Sequence, residues 1–155
     1  DVRNATTLPL LLTEVQRTAR PHAPHEEVRA MVEQALLAER ELVVAPEWFA
    51  AWAAERGLEA DIRLKSGRAH NELTRHRYEV VLHEGPSDGL DLAGVPALPW
   101  GREVSGLAAL ADCVKQAGDG PVRVTGIPNA RLAEEADEAR SAGVLSAAVP
   151  AGEPL

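Results

Sequence analysis

An α/β fold with a mixed sheet and flanking helices is what this sequence predicts, and three observations predict it. Two segments, Glu59–Gly67 and Arg77–Gly85, alternate apolar and polar residues at the two-residue period of a half-buried strand. Five others read as helices, from apolar residues at the helical period or from helix start and stop signals. The two kinds of segment interleave along one chain, which is the order of an α/β protein. The strand pair at 60–64 and 78–83 is close enough in sequence to be antiparallel.

The elements follow in order. The opening Asp-Val-Arg-Asn reads as the exit of a strand, and with no initial Met the chain reads as an excised piece of something longer. Residues 7–19 form the first predicted helix, with Thr7 as a cap, Pro9 in the first turn and Leu8, Leu11, Leu12 and Val15 as a stripe. The next opens at Pro24 with Glu26 and Glu27 at its positive end, and Val28, Met31, Val32, Ala35 and Leu36 trace its apolar face. A third starts at Pro46 and ends towards Gly57, with Trp48 and Trp52 on one face, where core packing is the expectation. Tyr78, Val80 and Leu82 share the buried side of the later strand, beside Ile62 and Leu64, and residues 65–77 loop over one end. Residues 85–101 are dense in turn formers and read as a surface connection. A helix capped by Ser105 and stopped by Gly118 follows, then a strand over 121–127 and a last helix from about Asn129 to Gly143. One domain over 1–146 and a flexible tail or linker over 147–155 complete the reading.

Composition narrows function. The chain has 155 residues, is 45% hydrophobic but only 3% aromatic, and carries a net charge of −8. Aliphatic residues and alanine must therefore fill the core, and the acidic field argues against nucleic acid as a partner. No segment is long and apolar enough to span a membrane, so the expected location is the cytoplasm. Cys113 is the lone cysteine and sits among apolar neighbours, as a small buried hydrophobe rather than a nucleophile. His22 and His25 form an H-x-x-H without further ligands nearby, so no metal site is expected. A glycine-rich turn of the kind that cradles nucleotides is missing. The corner at Asn129–Arg131 is expected to be a plain helix cap.

The concentrated feature is the stretch 65–77, where Lys65, Arg68, Arg75 and Arg77 face the single acid Glu72, with His70 and His76 beside them. The expectation is part structural lock and part recognition surface: Glu72 pairs with Arg68, Arg75 or Arg77, and Asn71 bonds loop backbone. Arg68, His70, Asn71, Glu72, Arg75, Arg77 and Tyr78 are the candidate lock and recognition residues, the unpaired arginines facing out.

Residues 71–81, NELTRHRYEVV, resemble the second core motif, NELSxYRYxAV, of the N-methyltransferase domains embedded in nonribosomal peptide synthetases. Asn71, Glu72, Leu73, Arg77, Tyr78 and Val81 agree; Thr74, His76 and Val80 differ. Residues 134–146, EEADEARSAGVLS, partly resemble the third motif, VExSxARQxGxLD, agreeing at Glu135, Ala139, Arg140, Gly143 and Leu145 and differing at Glu134, Asp137, Ser141 and Ser146. The chain also resembles the small domain of unknown function of leinamycin-type polyketide synthases. The family's first motif, the glycine-rich turn that holds S-adenosylmethionine, is missing. The resemblance implies the C-terminal half of a class I methyltransferase fold, without catalytic, cofactor-binding or metal residues of its own, and S-adenosylmethionine only where a parent protein supplies an N-terminal half. It implies a non-catalytic scaffold or docking element in polyketide or peptide biosynthesis, whose partners are neighbouring synthase domains and an acyl or peptidyl carrier protein. The alternatives are the excised half of an active N-, O- or C-methyltransferase, or a small enzyme acting on a carrier-bound intermediate.

Overall fold

The computed structural model describes residues 1–85 and 94–145. The tail expected over 147–155 and the middle of the connection expected over 85–101 lie outside the described residues. The described chain forms two compact units, one of residues 1–85 and 130–145, the other of residues 94–129.

The larger unit is built on a four-stranded mixed sheet. Its strands are β1 (Val2–Asn4), β2 (Val43–Val44), β3 (Leu58–Leu64) and β4 (Arg77–Glu84), in the order β2-β1-β4-β3. β1 and β2 are parallel, while β4 runs antiparallel to both β1 and β3, pairing Val2 with Tyr78 and Ile62 with Val80. The predicted hairpin therefore forms, extended by a residue or two at its ends. β2 carries no strand signal, because two residues cannot display a period; its pairing to β1 defines it.

Among the described residues five helices belong to this unit: α1 (Leu8–Ala19), α2 (His25–Ala38), α3 (Pro46–Ala54), α4 (Glu72–His76) and, returning to it after the smaller unit, α6 (Ala133–Ser141). α1 packs against α2, α4 and α6, and α3 against β3. Because α1 has neighbours on several sides, its buried residues are Leu8, Leu10 and Thr13, while Val15 at the end of the predicted stripe is half-exposed. Buried Thr13 donates its hydroxyl to the Pro9 carbonyl at 2.7 Å, which lets a polar side chain sit in the core. Val28 and Val32 on α2 pack with Ala142, joined by Leu12, Met31 and Val144. Alanines 136, 139 and 142 are all buried, so the alanine-rich core expected from composition forms where α6 enters.

Some expectations are corrected. Trp48 is 52% exposed rather than core. α3 packs on β3, and the two tryptophans stack on each other at 6.2 Å, with the Arg56 guanidinium 4.2 Å over the Trp52 ring. Tyr78 is buried and Val80 half-buried, but Leu82 is 41% exposed, so burial on this side of β4 falls off along the strand from Tyr78. Residues 72–76 form α4 rather than loop.

The smaller unit holds a parallel pair, β5 (Ala97–Pro99) and β6 (Arg123–Thr125), joined through α5 (Leu107–Ala117). β5 lies in the stretch expected to be connection, its three residues too few to overcome the surrounding turn formers as a signal. Gly106, not Ser105, is the N-cap of α5, and Gly118 ends it at φ 59°, the left-handed conformation that favours glycine. α5 buries none of its residues, so Cys113 is only half-buried. α6 begins at Ala133 with Leu132 as its N-cap, four residues later than expected. The residues before it form a turn that aims Arg131 at the carbonyls of Lys65 and Thr74, at 3.1 and 3.2 Å.

Candidate functional site

The site grows out of residues 67–78. Asn71 caps α4 with a capping box: its Oδ1 accepts from the Thr74 amide at 3.3 Å, and Thr74 Oγ1 accepts from the Asn71 amide at 3.1 Å. The same hydroxyl donates to the Ala69 carbonyl at 2.7 Å, folding the approach to the helix back over it. That fold leaves no room at Gly67, where an added Cβ would come within 2.6 Å of the Thr74 methyl. A five-residue helix followed at once by a strand then throws alternate side chains to opposite sides, and two ionic groups result.

The first gathers around Glu72. Its Oε1 accepts from Arg3 on β1 at 2.7 Å and from both Nε and Nη2 of Arg77 on β4, at 3.2 and 3.1 Å. Arg3 continues to Glu39 at 2.8 Å, and Arg77 to Glu41 at 2.8 Å. Burial by itself would raise the Glu72 pKa, but the hydrogen bonds and charges of Arg3 and Arg77 outweigh it and hold the carboxyl below its ordinary value. Tyr78, next along the strand, donates its phenol to the Val44 carbonyl at 2.8 Å, and burial first, then Glu47, pushes its pKa up to about 12. Asn71, Glu72, Arg77 and Tyr78 thus tie α4, β1, β2 and β4 together.

The second group lies between α1, α4 and α6. Arg75 is not outward-facing as expected: it pairs with Glu135 of α6 and with Glu14 of α1, the latter at 3.4 Å. His76 is fully buried, its Nε2 2.9 Å from Glu135 Oε2, yet neither atom has a hydrogen-bond partner. Burial, seconded by the charge of Arg75, pushes the His76 pKa down to about 4, so the imidazole is neutral. Burial also raises Glu135, against the lowering effect of Arg75. Ligand atoms of Glu14, His76 and Glu135 all lie within 4.8 Å of one another.

A cleft of about 900 Å³ opens beside this group, lined by Glu14, Arg75, Arg131, Glu135, His25 and His70 among others. On its wall Arg17 pairs with Glu138, donates to the Ala23 carbonyl at 2.6 Å and meets His25 Nδ1 at 2.8 Å. His25 of the H-x-x-H thus faces an arginine. Lys65 pairs with Asp1 and Glu79 at 3.3 and 3.2 Å. Of the basic residues in 65–77, Arg68 is exposed and outside these networks, and His70 is exposed at the cleft.

Glu14 was not among the residues singled out from sequence, and Glu135 was named there only as a match to the third motif, not as a site residue. They lie 121 positions apart on separate helices, and the one available signal was that the second motif-like stretch carries a glutamate. The two motif-like stretches meet in space, through Arg75 and His76 on one side and Glu135 on the other.

No protein-family model matches the chain. It is 41% identical over 129 residues, or 83% of its length, to a segment of the "Probable non-canonical nonribosomal peptide synthetase (NRPS) CymA" of Salinispora arenicola. It is 32% identical over 143 residues, or 85% of its length, to a segment of chondramide synthase cmdD of Chondromyces crocatus. The matched segments make up 2% and 4% of those relatives. Among the described residues, no helix is long and apolar enough to cross a membrane.

Proposed function

We propose that this chain is a domain of a natural-product megasynthase, and that it serves as a methyltransferase-like scaffold that carries neighbouring domains or a carrier protein rather than as a catalyst. The 41% identity to a peptide-synthetase segment, spread over 83% of the chain, carries the first half of this reading. The second half draws support from where the motif-like residues are spent. Glu72, Arg77 and Tyr78 hold strands and helices to one another, and Arg75 pairs with buried Glu135 and with half-exposed Glu14, so these side chains are committed within the fold. Arg68 and His70 remain as the exposed basic surface. On an acidic protein such a surface would steer an acidic carrier weakly and in a salt-sensitive way.

The test is titration of the chain with the carrier protein adjacent to it in its parent synthase, at low and high salt, together with calorimetry against S-adenosylmethionine. Weak carrier binding that falls with salt and with Arg68→Glu, and no cofactor binding, is the expected result. Micromolar S-adenosylmethionine binding would overturn the non-catalytic reading, and carrier binding untouched by Arg68→Glu would overturn the docking surface.

The meeting of the two motif-like stretches beside the cleft favours one second reading, in which the chain is the C-terminal half of an active methyltransferase. Methyl transfer by the parent synthase that is lost on deleting this segment alone, while neighbouring activities persist, would favour it over the scaffold.

A further inference from the structure

Three elements distant in sequence deliver two carboxylates and one imidazole to one small volume. Glu14 comes from α1, His76 from the end of α4 and Glu135 from α6, with their ligand atoms within 4.8 Å of one another. Proximity alone would mean little. What distinguishes this group is that His76 Nε2 and Glu135 Oε2 are both buried, lie 2.9 Å apart and have no hydrogen-bond partner, with His76 Nδ1 and Arg75 Nε beside them buried and unpartnered as well. Buried polar atoms are paired in the great majority of cases, so two orphans facing each other call for a missing partner.

The chemistry of the orphans defines that partner. An imidazole nitrogen and a carboxylate oxygen can both present lone pairs. Arg75 supplies positive charge to Glu14 and Glu135, but it leaves His76 Nε2 and Glu135 Oε2 without a bond. A metal ion accepts lone pairs from all three side chains at once. One nitrogen and two oxygens suit a first-row divalent transition ion better than calcium or magnesium, which prefer all-oxygen shells. Remaining coordination positions would be filled from the cleft, which Glu14 and Glu135 also line.

We propose that Glu14, His76 and Glu135 form a binding site for a first-row divalent transition-metal ion, zinc being the representative, which pins α1, α4 and α6 to one another. The ion displaces the Arg75 guanidinium from its position between the carboxylates, and Arg75 turns into the cleft it already lines. Two carboxylates and a divalent ion balance in charge without it, so the arginine competes with the metal rather than assisting it. This site is independent of the scaffold reading, since it needs no partner domain. His76 stands where the resembled motif has tyrosine.

The full chain is titrated with cobalt and its visible ligand-field absorption followed, and zinc affinity and the thermal midpoint are measured alongside. A single cobalt site, displaced by zinc, with a midpoint that rises on zinc addition and falls back with chelator, is the expected result. Glu14→Gln and His76→Gln each weaken binding by at least about tenfold, because loss of a first ligand exceeds the 10–100-fold effects of outer partners. Arg75→Met removes the competing cation and tightens binding, while replacing His22 and His25 together with alanine leaves it unchanged. His76→Gln alters a buried side chain; if it fails to fold, Glu14→Gln decides, since the Glu14 side chain is 41% exposed. Absence of cobalt absorption, absorption that survives Glu14→Gln, or loss of the signal only on removing His22 and His25 overturns the site.

Discussion

The two sides of α4 are built from neighbouring residues and solve opposite problems. On one, Glu72 accepts three hydrogen bonds from Arg3 and Arg77, and its side chain is 39% exposed. On the other, His76 and Glu135 are shut away from water, with one guanidinium serving two carboxylates and four polar atoms, Arg75 Nε, both His76 nitrogens and Glu135 Oε2, unserved. The difference teaches that charge density along a sequence does not measure ionic stabilisation. Where water still reaches the group, each bond is worth little and each loss is mild; where it does not, the penalty for an unmatched charge dominates.

The sharpest way to break the comparison is Arg75→Ala. It leaves Glu14 and buried Glu135 without their shared cation, and should destabilise the fold by about 3 kcal/mol, as removing one member of a buried pair does. Chemical denaturation measures this; a loss below about 1 kcal/mol would place the group with the exposed pairs. Glu72→Ala, on the wetter side, should cost about 1 kcal/mol by the same measurement, because charge-assisted bonds are discounted by partial exposure.

Acid titration sharpens the contrast further. The folded-state pKa of Glu72 lies below its unfolded value, so its contribution is full above the unfolded carboxylate range near 4.5 and is lost as pH falls through the depressed value. Stability of the parent measured from pH 6 down to pH 3 should therefore fall more steeply than that of Glu72→Gln, which has no proton to take up at that position. Parallel curves would mean that Arg3 and Arg77 do not hold the ionised carboxylate. The smallest effect is expected at Arg68→Glu, within about 0.5 kcal/mol of the parent, because an exposed side chain outside both networks is removed from neither. A larger loss would show that the loop over 65–71 depends on it.

Much of the fold was legible in the sequence because its signals are local. Alternation marked the hairpin, since one side of β3 and β4 faces helices; Pro46 marked the start of α3, and Gly118 and Gly143 the ends of α5 and α6, where φ is positive. That Glu72 pairs with an arginine near it in the chain was legible; that the arginine is Arg77 rather than Arg68 or Arg75, and that Arg3 joins it, was not. β2 and β5 were not legible, being two and three residues long, and the exposure of Trp48 was not, because periodicity gives a shared face without saying whether that face is covered.

The sequence by itself determined the α/β class, the hairpin and the presence of a dense polar group at 65–77, because these depend on residues within a few positions of one another. Only the tertiary structure decided that Arg75 turns inward and that His76 has Glu135 and Glu14 for company. Those neighbours arrive on α6 and α1, and their arrival depends on how three helices pack, a long-range outcome that no local pattern encodes. Desolvation then does the rest: the same imidazole that would be an ordinary surface base is held neutral once α1, α4 and α6 close around it.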